Sequence, residues 1–114
     1  MASALEVLDI AEVERLDEQG RRVFSPAERA YAESKSDPGR RLAARLAAKR
    51  AAARLLGVDA EDVEVRRRAG GPPRVVLSPR AEERLRSLGA ARVLVSLTHG
   101  RTHAAASVLL VEGE

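Results

Sequence analysis

Three cations, Lys49, Arg50 and Arg54, form the densest candidate in this chain for chemistry on an anion. They lie within Arg45-Leu46-Ala47-Ala48-Lys49-Arg50-Ala51-Ala52-Ala53-Arg54-Leu55-Leu56-Gly57. At about 100° per residue, Leu42, Leu46, Ala53 and Leu56 fall on one helical stripe that should face a core. Lys49 falls within that stripe, and Arg50 and Arg54 lie on its flank, one turn apart. An ammonium among apolar side chains needs a partner or a route to water. Either Lys49 snorkels and the arginines are solvated, or the group marks an anion site. On the residues alone, Asp9 is a strand-end or capping aspartate, and His99 is a polar residue beside a turn. With no cysteine, a disulfide framework, a thiolate metal site and a cysteine nucleophile are all excluded.

The elements that must position these residues follow from local signals. Leu5 to Asp9 predicts a short strand, and Ile10 to Gly20 a helix. Ser25-Pro26-Ala27-Glu28 is a helix start in which serine caps, proline suits the first turn and Glu28 closes a capping box. Asp37-Pro38 opens the long helix, which runs to Leu56 and ends at Gly57. Asp62 to Arg68 and Arg74 to Leu77 predict strands joined through Ala69-Gly70-Gly71-Pro72-Pro73. Ser78-Pro79 starts another helix ending near Gly89. Arg92 to His99 and His103 to Glu112 are two closing strands around a tight turn at Gly100-Arg101. The order β-α-α-α-β-β-α-β-β, with mostly antiparallel pairing, predicts an α+β fold.

The 114 residues are read as one domain, 1–114, small enough that an oligomer would help stability. No apolar run approaches the roughly 18 residues of a membrane span. There is no basic region followed by an apolar core at the N-terminus, so the expectation is a cytoplasmic protein without a membrane partner. The formal net charge of +3 favours acidic partners. Nucleic acid is disfavoured among them, because Phe24 and Tyr31 are the only aromatic residues available for base stacking.

Four separated segments resemble the holo-acyl-carrier-protein synthase family of phosphopantetheinyl transferases. Asp9-Ile10-Ala11-Glu12-Val13-Glu14-Arg15-Leu16 looks like that family's G-T-D-I-V-E-I-x-R-I. Phe24-Ser25-Pro26-Ala27-Glu28 is similar to its L-T-P-x-E step. The segment Arg45 to Gly57 resembles R-F-A-A-K-E-A-x-x-K-A-L-G, and Val95-Ser96-Leu97-Thr98-His99 resembles V-S-L-S-H. The ordered set spans almost the whole chain. It implies an α+β protomer assembling as a homotrimer, with sites in clefts between subunits. It also implies transfer of 4'-phosphopantetheine from coenzyme A to a serine of an acyl carrier protein, with magnesium held by an Asp, a Glu and phosphate oxygens.

Residue by residue, the resemblance makes Asp9 the first metal ligand, places Arg50 and Arg54 at the reacting centre, and puts Lys49 and His99 on coenzyme A. Arg15 and Arg22 fall where basic residues meet the acidic recognition helix of the carrier protein. The departures fall on the chemistry. Val7-Leu8 replaces a small Gly-Thr pair. Arg50 stands where the family has the second metal ligand, Glu. Arg54 replaces a Lys and stays protonated near neutral pH, a poor base. After Gly57, Val58 to Glu61 leads almost directly into a strand, where the family has a longer Gly-rich connection. Three readings follow. Arg50 replaces part of the metal's charge in a transferase with weak magnesium dependence. Or Asp9 and Arg50 pair directly in an inactive homologue that still binds coenzyme A or carrier protein. Or the chain is a basic module for nucleic acid or an acidic protein.

Overall fold

The long helix α3 (Pro38–Leu56) organises this computed structural model, which describes residues 2–68 and 70–113. Met1, Ala69 and Glu114 lie outside the described residues, Ala69 being part of the hairpin connection expected above. Pro38 occupies the first turn of α3, alanine favours its interior, and Gly57 closes it in the left-handed region at φ 71°. These signals fix both ends where the sequence places them. The expected stripe, however, is a correction. Leu42, Leu46, Ala53 and Leu56 are buried, but so are Ala43, Ala44, Ala47, Ala48, Ala51 and Ala52. The helix is buried on nearly every side.

Around it run β1 (Ala2–Asp9), α1 (Ile10–Glu14), α2 (Pro26–Glu33), β2 (Val63–Arg67), β3 (Pro73–Leu77), α4 (Pro79–Ser87), β4 (Arg92–His99) and β5 (His103–Val111). Short 3-10 turns at Gly20–Val23 and Ala60–Asp62 complete the path. The class is α+β, with two antiparallel sheets. The larger has the order β1-β5-β4, with Asp9 opposite His103 and His99 opposite Ala104. The smaller is the β2–β3 hairpin, Val63 opposite Leu77. Among the described residues, no helix is long and apolar enough to cross a membrane.

Alternation along the larger sheet separates its two faces. Leu8, Ala104, Ala106, Val108 and Leu110 are buried on the face that packs on α3. Leu5, Val7 and Leu94 point the other way and are 65%, 58% and 45% exposed. Among the described residues, no helix covers that outer face.

Two elements differ from the sequence reading. Strand β1 begins at Ala2 rather than Leu5, because pairing with β5 from Leu110 onward supplies what Ala2-Ser3-Ala4 lack in propensity. Helix α1 stops at Glu14 instead of Gly20. The Asp17 carboxylate accepts the Gly20 N–H at 2.8 Å, a local turn that competes with continuing the helix. At α2 the predicted capping box is present. Ser25 Oγ accepts the Glu28 N–H at 3.1 Å, and Glu28 Oε1 accepts the Ser25 N–H at 2.8 Å.

Glu28 does more than cap. Both it and Lys49 are 1% exposed. Lys49 Nζ donates to Glu28 Oε1 at 2.9 Å and to the Val63 carbonyl, while Glu28 Oε2 accepts the Val65 N–H at 2.8 Å. One ion pair thus ties α2, α3 and β2 together. Two charges out of water are tolerable only when so fully bonded, and removing one partner strands the other. Lys49→Met is expected to cost about 3–5 kcal/mol in urea unfolding. The Glu28→Gln/Lys49→Met pair should lose less than the two single variants summed, as a double-mutant cycle would measure.

Candidate active site

Where β4 turns into β5 and α3 begins, the fold opens two clefts. The larger, about 550 Å³, is lined by Asp9, Glu14, Asp37, Arg40, Arg101 and Thr102, among others. The other, about 250 Å³, is lined by Arg41, Ala44, Arg45, Arg67, Leu97, Thr98 and His99. Arg40 and Arg41 are neighbours on the first turns of α3, so the two openings flank one helix start. The β4–β5 turn, its Gly100 N–H bonded to the His103 carbonyl at 2.8 Å, contributes Arg101 and Thr102 to the larger cleft, and the end of β4 contributes Thr98 and His99 to the smaller.

The smaller cleft has unusual electrostatics. Arg45 is only 2% exposed, yet its Nε and Nη2 have no hydrogen-bond partner among the described residues. Its Nη1 reaches the Arg41 carbonyl at 3.4 Å, and its guanidinium lies 4.1 Å from the centre of the Tyr31 ring. Burial lowers the pKa of this guanidinium, with Tyr31 and Glu28 opposing. His99 Nδ1 in the same cleft is likewise buried without a partner. A buried cation with idle N–H groups is costly in isolation and turns favourable once an anion fills the cleft. Arg41 and Arg67 add charge at the same opening, and a guanidinium's planar fork suits phosphate oxygens.

Asp9 is the N-cap of α1, its Oδ1 accepting the Ala11 N–H at 3.0 Å. It lines the larger cleft. Near the start of α3, Asp37 has its pKa lowered, first by its hydrogen bond from Arg41 at 3.1 Å, and does not cap α3 with its side chain. Leu8 turns into the core and Val7 onto the outer sheet face, and neither is among the residues that line Asp9's cleft. Arg15 and Arg22 are both exposed.

The cations of α3 are dispersed rather than pooled. Lys49, expected on coenzyme A, is turned inward onto Glu28 and lines neither cleft. Arg54 reaches Glu6 and the Leu5 carbonyl, each at 3.2 Å, on an exposed flank. Arg50 Nη1 lies 2.6 Å from Glu12 Oε2, so its partner is Glu12 and not the Asp9 expected above. That approach is a charge contact, its angles falling short of a directed hydrogen bond.

This donor set does not fit a divalent cation. Asp9 already accepts a helix N–H, Glu12 faces a guanidinium, and Arg50 cannot ligate. Among the described residues, no group of three or more His, Cys, Asp or Glu side chains could hold a metal ion.

Arg45 went unrecognised in the sequence reading as a site residue, as did Arg41 and Arg67. A signal existed in the spacing. Arg41, Arg45 and Lys49 recur every fourth residue, a cationic column on one helical face. Arg45→Met is expected to leave urea stability within about 1 kcal/mol of wild type, since it removes an unpaired buried charge. Inorganic phosphate is expected to raise the melting temperature of the wild-type protein, and the same variant should abolish that rise.

No protein-family model matches the chain. Over 92% of its length it is 43% identical to the holo-acyl-carrier-protein synthase of Moorella thermoacetica, covering 91% of that protein. The acyl carrier protein synthase of Mycobacterium tuberculosis superposes with a TM-score of 0.73 at 29% identity, over 97% of this chain and 96% of that one. Helicobacter pylori holo-acyl-carrier-protein synthase, solved in complex with coenzyme A, shares the fold at a TM-score of 0.78 and 19% identity, over 96% and 99% of the two chains.

Proposed function

The chain belongs to the holo-acyl-carrier-protein synthase family, and from that membership we propose that it moves 4'-phosphopantetheine from coenzyme A to a serine of an acyl carrier protein. The single observation that carries the reading to this chain is the buried guanidinium of Arg45, whose Nε and Nη2 have no partner among the described residues and whose side chain lines the cleft of His99. Coenzyme A is an anion of matching kind, carrying a pyrophosphate and a 3'-phosphate. Arg45, Arg41, Arg67 and His99 bind and orient those phosphates.

In the transfer, the serine oxygen forms a bond to the β-phosphorus of coenzyme A. The bond from that phosphorus to the bridging oxygen breaks, and 3',5'-ADP leaves with the electron pair. Catalysis of such a step is mostly positioning and charge neutralisation. The serine proton must also leave, and the Asp9 carboxylate lines the neighbouring cleft as its acceptor. Arg54, tied to Glu6 and permanently protonated, contributes position rather than proton transfer.

Arg15 and Arg22 stand exposed for an acidic helix of the carrier protein, where rim charges act chiefly on encounter. The outer sheet face supports self-assembly. Leu5 aligns with Ser107 and Ser96, and Val7 with Ala105 and Thr98, a small and apolar surface spanning three strands. A homotrimer built on that face would bury Leu5, Val7 and Leu94, as the family resemblance implies. Leu5→Lys is expected to shift sedimentation of the purified protein from trimer to monomer.

A second reading, binding without transfer, is favoured by the guanidinium of Arg50 at the position of a metal ligand. The deciding assay incubates the protein with coenzyme A and an apo carrier protein and weighs the carrier by mass spectrometry. Gain of one phosphopantetheine on the carrier is expected, and Arg45→Met should lower kcat/KM by about a hundredfold or more. Coenzyme A binding with no mass gain would establish the second reading. In the Arg15→Glu/Arg22→Glu variant, KM for the carrier should rise about tenfold with kcat little changed.

A further inference from the structure

The charge layout around α1 departs from what a metal-assisted transfer needs. Asp9 and Glu12 stand three residues apart at the start of α1, a spacing that brings two carboxylates onto neighbouring positions of one turn. Such a pair attracts a cation. Here the cation is already covalently part of the chain, since Arg50 brings its guanidinium to 2.6 Å from Glu12. The three residues carry one net negative charge. A glutamate at position 50 would make that three, the kind of carboxylate cluster that holds a hard divalent ion. Asp9 meanwhile commits one oxygen to the Ala11 N–H. A divalent ion arriving at Asp9 would find Glu12, the nearest carboxylate in sequence on the same turn, already facing a guanidinium.

We propose that the Arg50–Glu12 pair is a built-in replacement for a divalent cation, so that this site holds no metal and its handling of a pyrophosphate substrate is indifferent to divalent ions. The claim about metal stands on the charges of Asp9, Glu12 and Arg50 alone. The claim about substrate rests on the transferase reading. A guanidinium supplies charge and directional N–H groups, but it is no Lewis acid. The chain therefore neutralises phosphate with arginines alone, Arg45, Arg41 and Arg67 on the cleft and Arg50 as the fixed charge against Glu12.

The test uses the full chain and manganous ion, whose free aqueous fraction is read by electron paramagnetic resonance, without and with saturating coenzyme A. Wild-type protein is expected to show no saturable site for manganese beyond that of free coenzyme A. Arg50→Glu should acquire one, at least about tenfold tighter than any residual wild-type binding. Arg50→Gln, which frees Glu12 without adding a carboxylate and disturbs folding least, should fall between the two. Calorimetric affinity for coenzyme A should agree within about twofold between magnesium and EDTA buffers for the wild type. A stoichiometric manganese site in wild-type protein that disappears in Asp9→Asn would overturn the proposal. So would an Arg50→Glu or Arg50→Gln protein that melts normally yet gains no manganese affinity. If coenzyme A binds neither with nor without a divalent ion, the transferase reading fails instead, while the manganese titration still decides the metal question.

Discussion

Everything in this fold is indexed to one buried ion pair. Lys49 cannot move without stranding the Glu28 carboxylate, and Glu28 cannot move without releasing the Ser25 and Val65 N–H groups. These bonds set how far α2 stands from α3 and where β2 enters the structure. Because Arg45 lies one turn before Lys49 on the same helix, fixing Lys49 also fixes the azimuth of Arg45. The guanidinium's orientation toward the His99 cleft follows from that rotation. Structural charge and functional charge thus share a helix and differ only in whether the protein supplies their partner.

The protomer divides its surface into two kinds of unfinished business. At one end of the sheet, the buried Arg45 guanidinium stands without a carboxylate partner among the described residues, beside a cleft of about 250 Å³. Across the outer face, small and apolar side chains stand without a cover. The first is a demand for an anion and the second for another surface. Both arise from the same topology, because β5 lies centrally between β1 and β4 and the helices pack on one side alone. A three-stranded sheet with helices on one face necessarily leaves the other face for something else.

Much of the fold could be read from punctuation in the chain. Pro38 and Gly57 bound α3, Ser25 and Glu28 start α2, and Ser78 caps α4 through the Ala81 N–H, each for a reason that operates locally. The sequence reading fails where a competing local turn or a distant strand intervenes. The Asp17 turn shortened α1, and pairing with β5 lengthened β1. At the site, Asp9 and His99 carried no chemical signal of their own and were found through the ordered resemblance. The partner of Lys49 is not legible in the sequence because Glu28 lies 21 residues away, a separation no helical projection can see. Arg45 is one arginine among many, marked in the sequence only by its four-residue spacing from Arg41 and Lys49 and in the structure by its loss of solvent.

The alanines of α3 bear on how such a chain can change. Seven of them are buried along a single helix, so the neighbouring backbones pass close to its axis and little side-chain bulk fills the space between. Deleting a methyl there opens a void smaller than a leucine truncation would leave. Adding one forces strands or helices apart, because close-packed interiors have nowhere to put it. The interior is therefore forgiving toward shrinkage and intolerant of growth. Divergence in this molecule is channelled outward, to the sheet's uncovered face, the hairpin arginines and the rim of the clefts, where relatives can differ in partner without rebuilding the scaffold.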